Sequence, residues 1–298
     1  MPPVHATALT EHAAAPLDSP TTANGRIVAP VLVDVRWLRE HLGAVRVLDT
    51  RSAREFAAGH LPGARSLPLD ALLVDDSSRP ALAQLGRAVQ RALAALDVAP
   101  GDHVVLVDDG DGSGALGATL CELAGMRRVS SVRGSAVDQW RVLGNDVVTE
   151  TPAAPAPTDA EVDPWADLPL RTAGIAAFED LVDAVVDSTA RIVDARSQLE
   201  HEGIIGAPCC GGRGAIPGSV HLEWTTCFDM FGLPVDPERV RALLAQVGIA
   251  VDEPIIVTCH AGHRAAITAR VLRASGFRDV RVSPGSWHEW SLRGLVDD

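Results

Sequence analysis

Tyrosine is missing from this 298-residue chain, and aromatic residues make up only 4% of it. Core packing therefore falls to aliphatic side chains, which a hydrophobic content of 47% supplies in a quantity that excludes wholesale disorder. Positive charge is short as well: 26 Lys and Arg against 39 Asp and Glu leave a formal net charge of −13. A body this acidic repels nucleic acid and anionic membranes, so neither is expected as a partner, and any bound anion must be drawn by local positive groups. No apolar run is long enough to cross a bilayer. The first residues carry Glu11 and Asp18 and lack a basic start with an apolar centre, which argues against a secretory signal. Cysteine is sparse too. Cys121, Cys209, Cys210, Cys227 and Cys259 are odd in number and scattered, unlike a secreted disulfide framework. No Cys/His set shows zinc-ligand spacing, since the adjacent Cys209 and Cys210 cannot form a CxxC clasp, and no metal or organic cofactor is expected. A reducing cytoplasm follows as the expected compartment, where a free thiol can stay reactive.

The chain repeats itself. "VRVLDTRSAREFAAGHLPGARSLPLD" in the first half returns, with an insertion, as "ARIVDARSQLEHEGIIGAPCCGGRGAIPGSVHLEW" in the second. Asp49 aligns with Asp194, Arg51 with Arg196, Ser52 with Ser197 and Glu55 with Glu200; Pro62-Gly63 and Pro217-Gly218 both suit a type II turn. "HVVLVDDGDGSGALGATLCELAGMRRV" also aligns without gaps to "PIIVTCHAGHRAAITARVLRASGFRDV". Each reads as aliphatic strand, small-residue loop and helix, with Gly125 or Gly276 at the helix end. The spacing predicts a duplicated α/β unit, each copy a mainly parallel sheet flanked by helices. A flexible tail is expected over residues 1–28, a first unit over 29–148, a Pro/Ala-rich linker over 149–172 and a second unit over 173–298.

Cys259 ends the strand that begins at Ile255 and opens the loop before a helix marked by Ile267, Val271 and Ala274. In open parallel sheets ligands gather beyond the carboxyl ends of strands, and helix N-termini present free N–H groups to anions. Gly262 lets such a loop curl into a nest. A cysteine beside a helix N-terminus and cationic neighbours has its pKa lowered from about 8.5 to roughly 3.5–7.5, and the neighbours here are His260, His263 and Arg264. The pocket suits a small anion attacked by sulfur. The gap-free alignment puts Asp108 opposite Cys259, Asp111 opposite Gly262 and Ser113 opposite Arg264. That acidic loop cannot stabilise a thiolate, so the first unit is expected to be inactive, with metal binding by the acids the lesser alternative.

These residues resemble the rhodanese family, specifically its tandem-domain sulfurtransferases acting on thiosulfate or 3-mercaptopyruvate. The resemblance runs from about Val31 onward and rests on Asp49-Thr50-Arg51 with "GHLPGA", Asp194-Ala195-Arg196 with "GAIPGS", "CHAGHR" and the closing "GSWHEW". It implies two tandem rhodanese-like domains, the second catalytic. Cys259 would be the nucleophile that carries persulfide sulfur from a small anionic donor to cyanide, a thiol or a protein acceptor. His260, Ala261, Gly262, His263 and Arg264 would hold the donor with Arg196, and Asp194 would support them. Two departures stand out. Neither the Arg-x-Gly-Val-Thr nor the Gly-Ser-Gly-Val-Thr loop follows Cys259, and Glu200 occupies a position where many members place a donor-binding arginine. Glu200 is expected to repel the donor, with Arg213 a possible substitute, and the loop's cations favour a doubly charged donor such as thiosulfate. Two alternatives remain: a persulfide carrier for a protein partner, and a phosphatase or arsenate reductase. The latter uses Cys-x5-Arg, whereas Cys259 and Arg264 are separated by four residues.

Asp194 and Arg196 also fit a structural role that braces the loop. Trp287 and Trp290, flanking His288, read as core cover, with Trp287 a candidate pocket wall. Cys209 and Cys210 sit in the Gly-rich insertion either as surface residues or as resolving thiols. His221 and Trp224 are expected near the interdomain cleft, and Cys121 and Cys227 are expected to pack.

Overall fold

The computed structural model describes residues 22–23, 26–27, 31–150, 164–229 and 234–295. Strands β1 (Thr22–Ala23) and β2 (Arg26–Ile27) pair antiparallel; the rest of the expected tail lies outside the described residues. The first unit runs β3 (Leu32–Val33), α1 (Val35–His41), β4 (Arg46–Asp49), α2 (Ala53–Ala58), β5 (Arg65–Ser66), α3 (Arg79–Ala95), β6 (Val104–Val107), α4 (Ser113–Leu123), β7 (Val129–Val132) and α5 (Ala136–Val142). The second runs α6 (Phe178–Asp187), β8 (Arg191–Asp194), α7 (Gln198–His201), β9 (Val220–His221), α8 (Pro237–Gln246), β10 (Ile255–Thr258), α9 (His263–Ala274), β11 (Val280–Val282) and α10 (Ser286–Leu292).

Each unit holds one parallel sheet, ordered β3-β7-β6-β4-β5 in the first and β11-β10-β8-β9 in the second. Where β3 meets β7, the second unit keeps only a parallel bridge between Ile175 and Val282. The predicted pair of α/β units with parallel sheets is thus observed. β6 (Val-Val-Leu-Val) and β10 (Ile-Ile-Val-Thr) are buried at every position, as strands covered on both faces must be. The paired serines and glutamates also have a local explanation. Ser52 with Glu55 and Ser197 with Glu200 form capping boxes that start α2 and α7 just beyond the sheet.

The units share a core. Leu116, Leu120 and Leu123 of α4 cluster with Ile267, Val271 and Leu272 of α9. Arg270 is wholly buried in that seam, donating to Ser131 Oγ at 3.0 Å, Glu122 Oε1 at 3.0 Å and the Val129 carbonyl at 3.2 Å. Residues 151–163 of the expected linker lie outside the described residues. From Trp165 onward the chain is bound to the first unit: the indole N–H donates to the Val98 carbonyl at 3.1 Å, and the Leu168 carbonyl accepts from Arg87 and Gln90.

Candidate active site

Four residues, Cys259, His260, Ala261 and Gly262, separate the end of β10 from the start of α9. Five residues make the same step from β6 to α4. Each helix follows a glycine at positive φ, Gly262 at 89° and Gly112 at 91°, and these two are the true equivalents. The gap-free alignment, which set Asp111 against Gly262 and Ser113 against Arg264, is corrected accordingly. One residue is lost from the second loop, and α9 is one longer, at 12 residues against 11 for α4. The register returns at Gly125 and Gly276, both again at positive φ. Neither loop glycine has room for a side chain. A Cβ at Gly262 would stand 2.9 Å from the Pro284 carbonyl oxygen, and one at Gly112 would stand 2.7 Å from that of His263 in the other unit.

The loop is stitched to α10. The Cys259 N–H donates to Ser286 Oγ at 3.0 Å, the Cys259 carbonyl accepts from Trp287 N–H at 3.0 Å, and the His260 carbonyl accepts from His288 N–H at 2.9 Å. The Gly262 N–H points at Cys259 Sγ from 3.1 Å. Cys259 is only 1% exposed and joins the aliphatic cluster shared by the units. Its sulfur is therefore enclosed rather than displayed in an open cleft. Ala261 is buried beside it in the chain.

The first unit shows what the same loop does with a fixed anion. Asp108, at the strand end equivalent to Cys259, accepts the Gly110 N–H on Oδ1 and the Gly114 N–H on Oδ2, both at 2.8 Å. Burial pushes its pKa up, to about 6, against the pull of these amides. The cradle in that unit is filled by the protein's own carboxylate.

The charged residues of the catalytic-looking loop stand differently from expectation. Arg264 is not a free cation: Nη1 and Nη2 donate to Glu200 Oε2 and Oε1 at 2.7 and 2.8 Å. Burial raises the Glu200 carboxyl, but hydrogen bonds from Arg264 and Ser197 overcome it and hold the pKa at about 2. Burial would lower the Arg264 pKa, yet Glu200 and the Cys259 sulfur raise it. Glu200 thus neutralises the loop's arginine instead of simply repelling a donor. His263 turns Nε2 toward the Leu69 carbonyl of the first unit at 3.1 Å. His260 has its pKa lowered by burial, then by Arg264 and His288, which favours a neutral ring. The proposed substitute, Arg213, does not meet the loop; it bonds the Ile204 carbonyl at 3.3 Å.

Arg196 is buried, with Nε and Nη2 on Asp194 and Nη2 also on the Gly214 carbonyl at 2.7 Å, and its guanidinium lies 4.8 Å over the Trp287 ring. Arg51 makes the same fork to Asp49 and the Gly59 carbonyl in the unit that lacks a thiol. A pair repeated where there is no nucleophile argues for bracing over substrate contact. Burial raises Asp194, but hydrogen bonds from His201 and Arg196 bring it to about 2. His201, seven residues downstream, was not singled out in the sequence; its signal is only its place one turn into the capped helix. His221 reaches the Arg196 carbonyl at 2.9 Å. Trp224 lines an interdomain cavity of about 210 Å³ with Gly110. Cys121 and Cys227 are buried, and burial pushes both thiols up to about 12, as packing residues.

The insertion is not a detached surface loop. Cys209 Sγ lies 3.2 Å from His260 Nε2, and Cys209, Cys210, His260 and His288 form one cluster. Adjacency of the two cysteines hid this from spacing arguments, because both partners come from distant segments.

The rhodanese-like domain signature matches residues 34–141 and 177–293. The 3-mercaptopyruvate sulfurtransferase of Escherichia coli K12 is 27% identical over 278 residues, covering 88% of this chain and 95% of the relative. The thiosulfate sulfurtransferase of Azotobacter vinelandii is 28% identical over 269 residues, covering 88% and 94%. Among solved structures, that of SseA from Escherichia coli superposes with a TM-score of 0.67 at 22% identity, over 87% of this chain and 99% of that one, which shows the shared fold. Among the described residues no helix is long and apolar enough to cross a membrane.

Proposed function

Because the chain belongs to the rhodanese-like domain family along most of its length, we propose that it transfers sulfane sulfur through a persulfide on Cys259. It is a sulfurtransferase of that family, with relatives named for both thiosulfate and 3-mercaptopyruvate. The observation that carries the assignment to Cys259 is the amide of Gly262 aimed at its sulfur from 3.1 Å, at the start of a twelve-residue helix. Such a donor, at the start of a helix, is placed to bond the sulfur and the charge that it carries through transfer. An added sulfur would extend its charge into the same loop.

The thiolate attacks the outer sulfur of the donor, forming a Cys259 S–S bond. With thiosulfate, the donor's S–S bond breaks and sulfite leaves with the electron pair. With 3-mercaptopyruvate, the C–S bond breaks and the former thiol proton passes to carbon, giving pyruvate. A thiol or cyanide then attacks the outer sulfur and returns the thiolate. The Glu200–Arg264 pair removes the charge argument that favoured a dianionic donor, so the loop amides become the principal holders of donor charge. Asp108, already satisfied by its own loop, leaves the first unit without a nucleophile.

Cys259→Ser should abolish transfer from both donors while circular dichroism and melting temperature stay near wild type. Peptide mass spectrometry of wild type after donor treatment should find one added sulfur on the Cys259 peptide. Turnover retained by the serine variant, or sulfur carried on another cysteine, would refute the assignment.

A further inference from the structure

The insertion between α7 and β9 is pressed onto α10. The Gly211 N–H donates to Ser291 Oγ at 3.1 Å, and a methyl group at Gly211 would overlap the Ser291 carbonyl. This contact sets Cys209 and Cys210 beside His260 and His288, whose backbones are already tied by the His288 N–H to His260 carbonyl bond at 2.9 Å. One side-chain donor atom from each of the four residues lies within 4.8 Å of the other three. Ligand atoms around a tetrahedral zinc, bound at about 2.0–2.3 Å, stand about 3.3–3.8 Å apart. Side-chain adjustments of roughly 1 Å close that difference.

His288 gives an independent sign of a ligand. It is 3% exposed, and its Nε2 faces Asp75 Oδ1 at 2.7 Å. A carboxylate accepts, so in the neutral ring Nε2 carries the proton and Nδ1 keeps its lone pair. That buried Nδ1 has no hydrogen-bond partner among the described residues, a state that native interiors rarely leave unanswered. A carboxylate on the far nitrogen of a ligating imidazole is the usual outer-shell arrangement at zinc. The carboxylate here comes from the first unit, so the site is completed across the domain boundary.

We propose that Cys209, Cys210, His260 through Nε2 and His288 through Nδ1 form a Cys2His2 site for zinc(II). Two thiols lose their protons to solvent and two imidazoles bind neutral, so the divalent ion and two thiolates leave no net charge. Tetrahedral coordination by two sulfurs and two nitrogens suits zinc over the harder divalent cations. Cys209 is exposed and provides the route of entry.

The test uses the full chain, reduced and stripped of metal, titrated with cobalt(II) and then zinc(II). The expected result is a tetrahedral cobalt spectrum with thiolate charge-transfer absorption, saturating at one ion per chain and bleached by zinc. Cys259→Ser should keep that spectrum, and the Cys209→Ser/Cys210→Ser double variant should lose it while keeping the wild-type melting temperature of the metal-free protein. Zinc should raise the melting temperature of wild type and not of the double variant. An octahedral or absent spectrum, one unchanged in the double variant, or one lost in Cys259→Ser would overturn the site. None of these readouts depends on sulfur transfer.

Discussion

Glu200→Gln isolates the charge that fixes Arg264. The carboxylate accepts two bonds from Arg264 at 2.7 and 2.8 Å, one from Ser197 Oγ at 2.8 Å and one from the Ser197 N–H at 3.1 Å. Burial raises its pKa, but these bonds win and set it at about 2, below the ordinary 4.5. At about 1.4 kcal/mol per unit this is worth about 3 kcal/mol. Both side chains are about a fifth exposed, at 23% and 19%, and screening reduces the figure to about 1–2 kcal/mol. The folded-state pKa lies below the unfolded one, so the stabilisation is complete above about pH 4.5 and disappears as the pH falls toward 2. Urea unfolding of both proteins between about pH 7 and pH 3 reads the effect. The glutamine variant should be less stable by about 1–2 kcal/mol at neutral pH, and the gap should narrow as the carboxyl protonates. Arg264, released from its fork, should favour the donor with more charge. The ratio of kcat/KM for thiosulfate over 3-mercaptopyruvate should rise about fivefold, roughly 1 kcal/mol. A stability gap that stays constant down to acid pH would refute the ion-pair reasoning. An unchanged donor ratio would show that Arg264 does not face the donor.

Gly262→Ala forces a side chain onto φ 89° and against the Pro284 carbonyl; it should cost about 1–3 kcal/mol and lower kcat roughly tenfold or more, measured by urea midpoint and steady-state kinetics. Arg270→Ala strips a buried guanidinium from Glu122, Ser131 and Val129 across the seam. A loss of about 3–5 kcal/mol is expected, with Arg270→Met recovering part of it by filling the space; equal melting temperatures for wild type and alanine variant would contradict this. If zinc occupies the Cys209–His288 cluster, it withdraws His260 from the loop. Stoichiometric zinc should then slow sulfur transfer by wild type, reversibly with a chelator, and leave the Cys209→Ser/Cys210→Ser variant unaffected.

The fold was legible in the sequence because its signals are local and repeated. Aliphatic runs beginning at Val104 and Ile255 read as buried strands, and the repeated motifs mark the two copies in equivalent places. The position of Cys259 was legible for the same reason, between the end of one strand and the start of one helix. What escaped depends on contacts between distant segments. In the sequence Glu200 reads only as a charge that repels the donor; its cap on α7 and its fork with Arg264, 64 residues away, are visible only in the fold. The four-residue Cys/His cluster joins an insertion, the loop and α10, and Asp75 comes from the other unit, so no spacing rule could show it. The one-residue loop difference was hidden because α9 regains the lost position, which kept both flanks in register. A positive-φ glycine pins the correspondence where residue-type matching could not.

That one residue bears on how differently the two units hold the side chain at the strand end. In the first unit five residues bridge strand and helix, and Asp108 folds back onto the amides of Gly110 and Gly114. In the second unit four residues make the crossing, and the Gly262 amide, the last before the helix, is brought directly onto the side chain at the strand end. A carboxylate has two oxygens and bonds two amides, those of Gly110 and Gly114, whereas the sulfur offers one atom to the single amide of Gly262. Converting one unit into the other therefore takes more than an Asp-to-Cys exchange. The longer loop would present a thiol beside Asp109 and Asp111, whose charges oppose its ionisation. The duplicated scaffold supplies the loop twice, and the shortened crossing together with the loss of those acids leaves the second copy with one sulfur facing one amide.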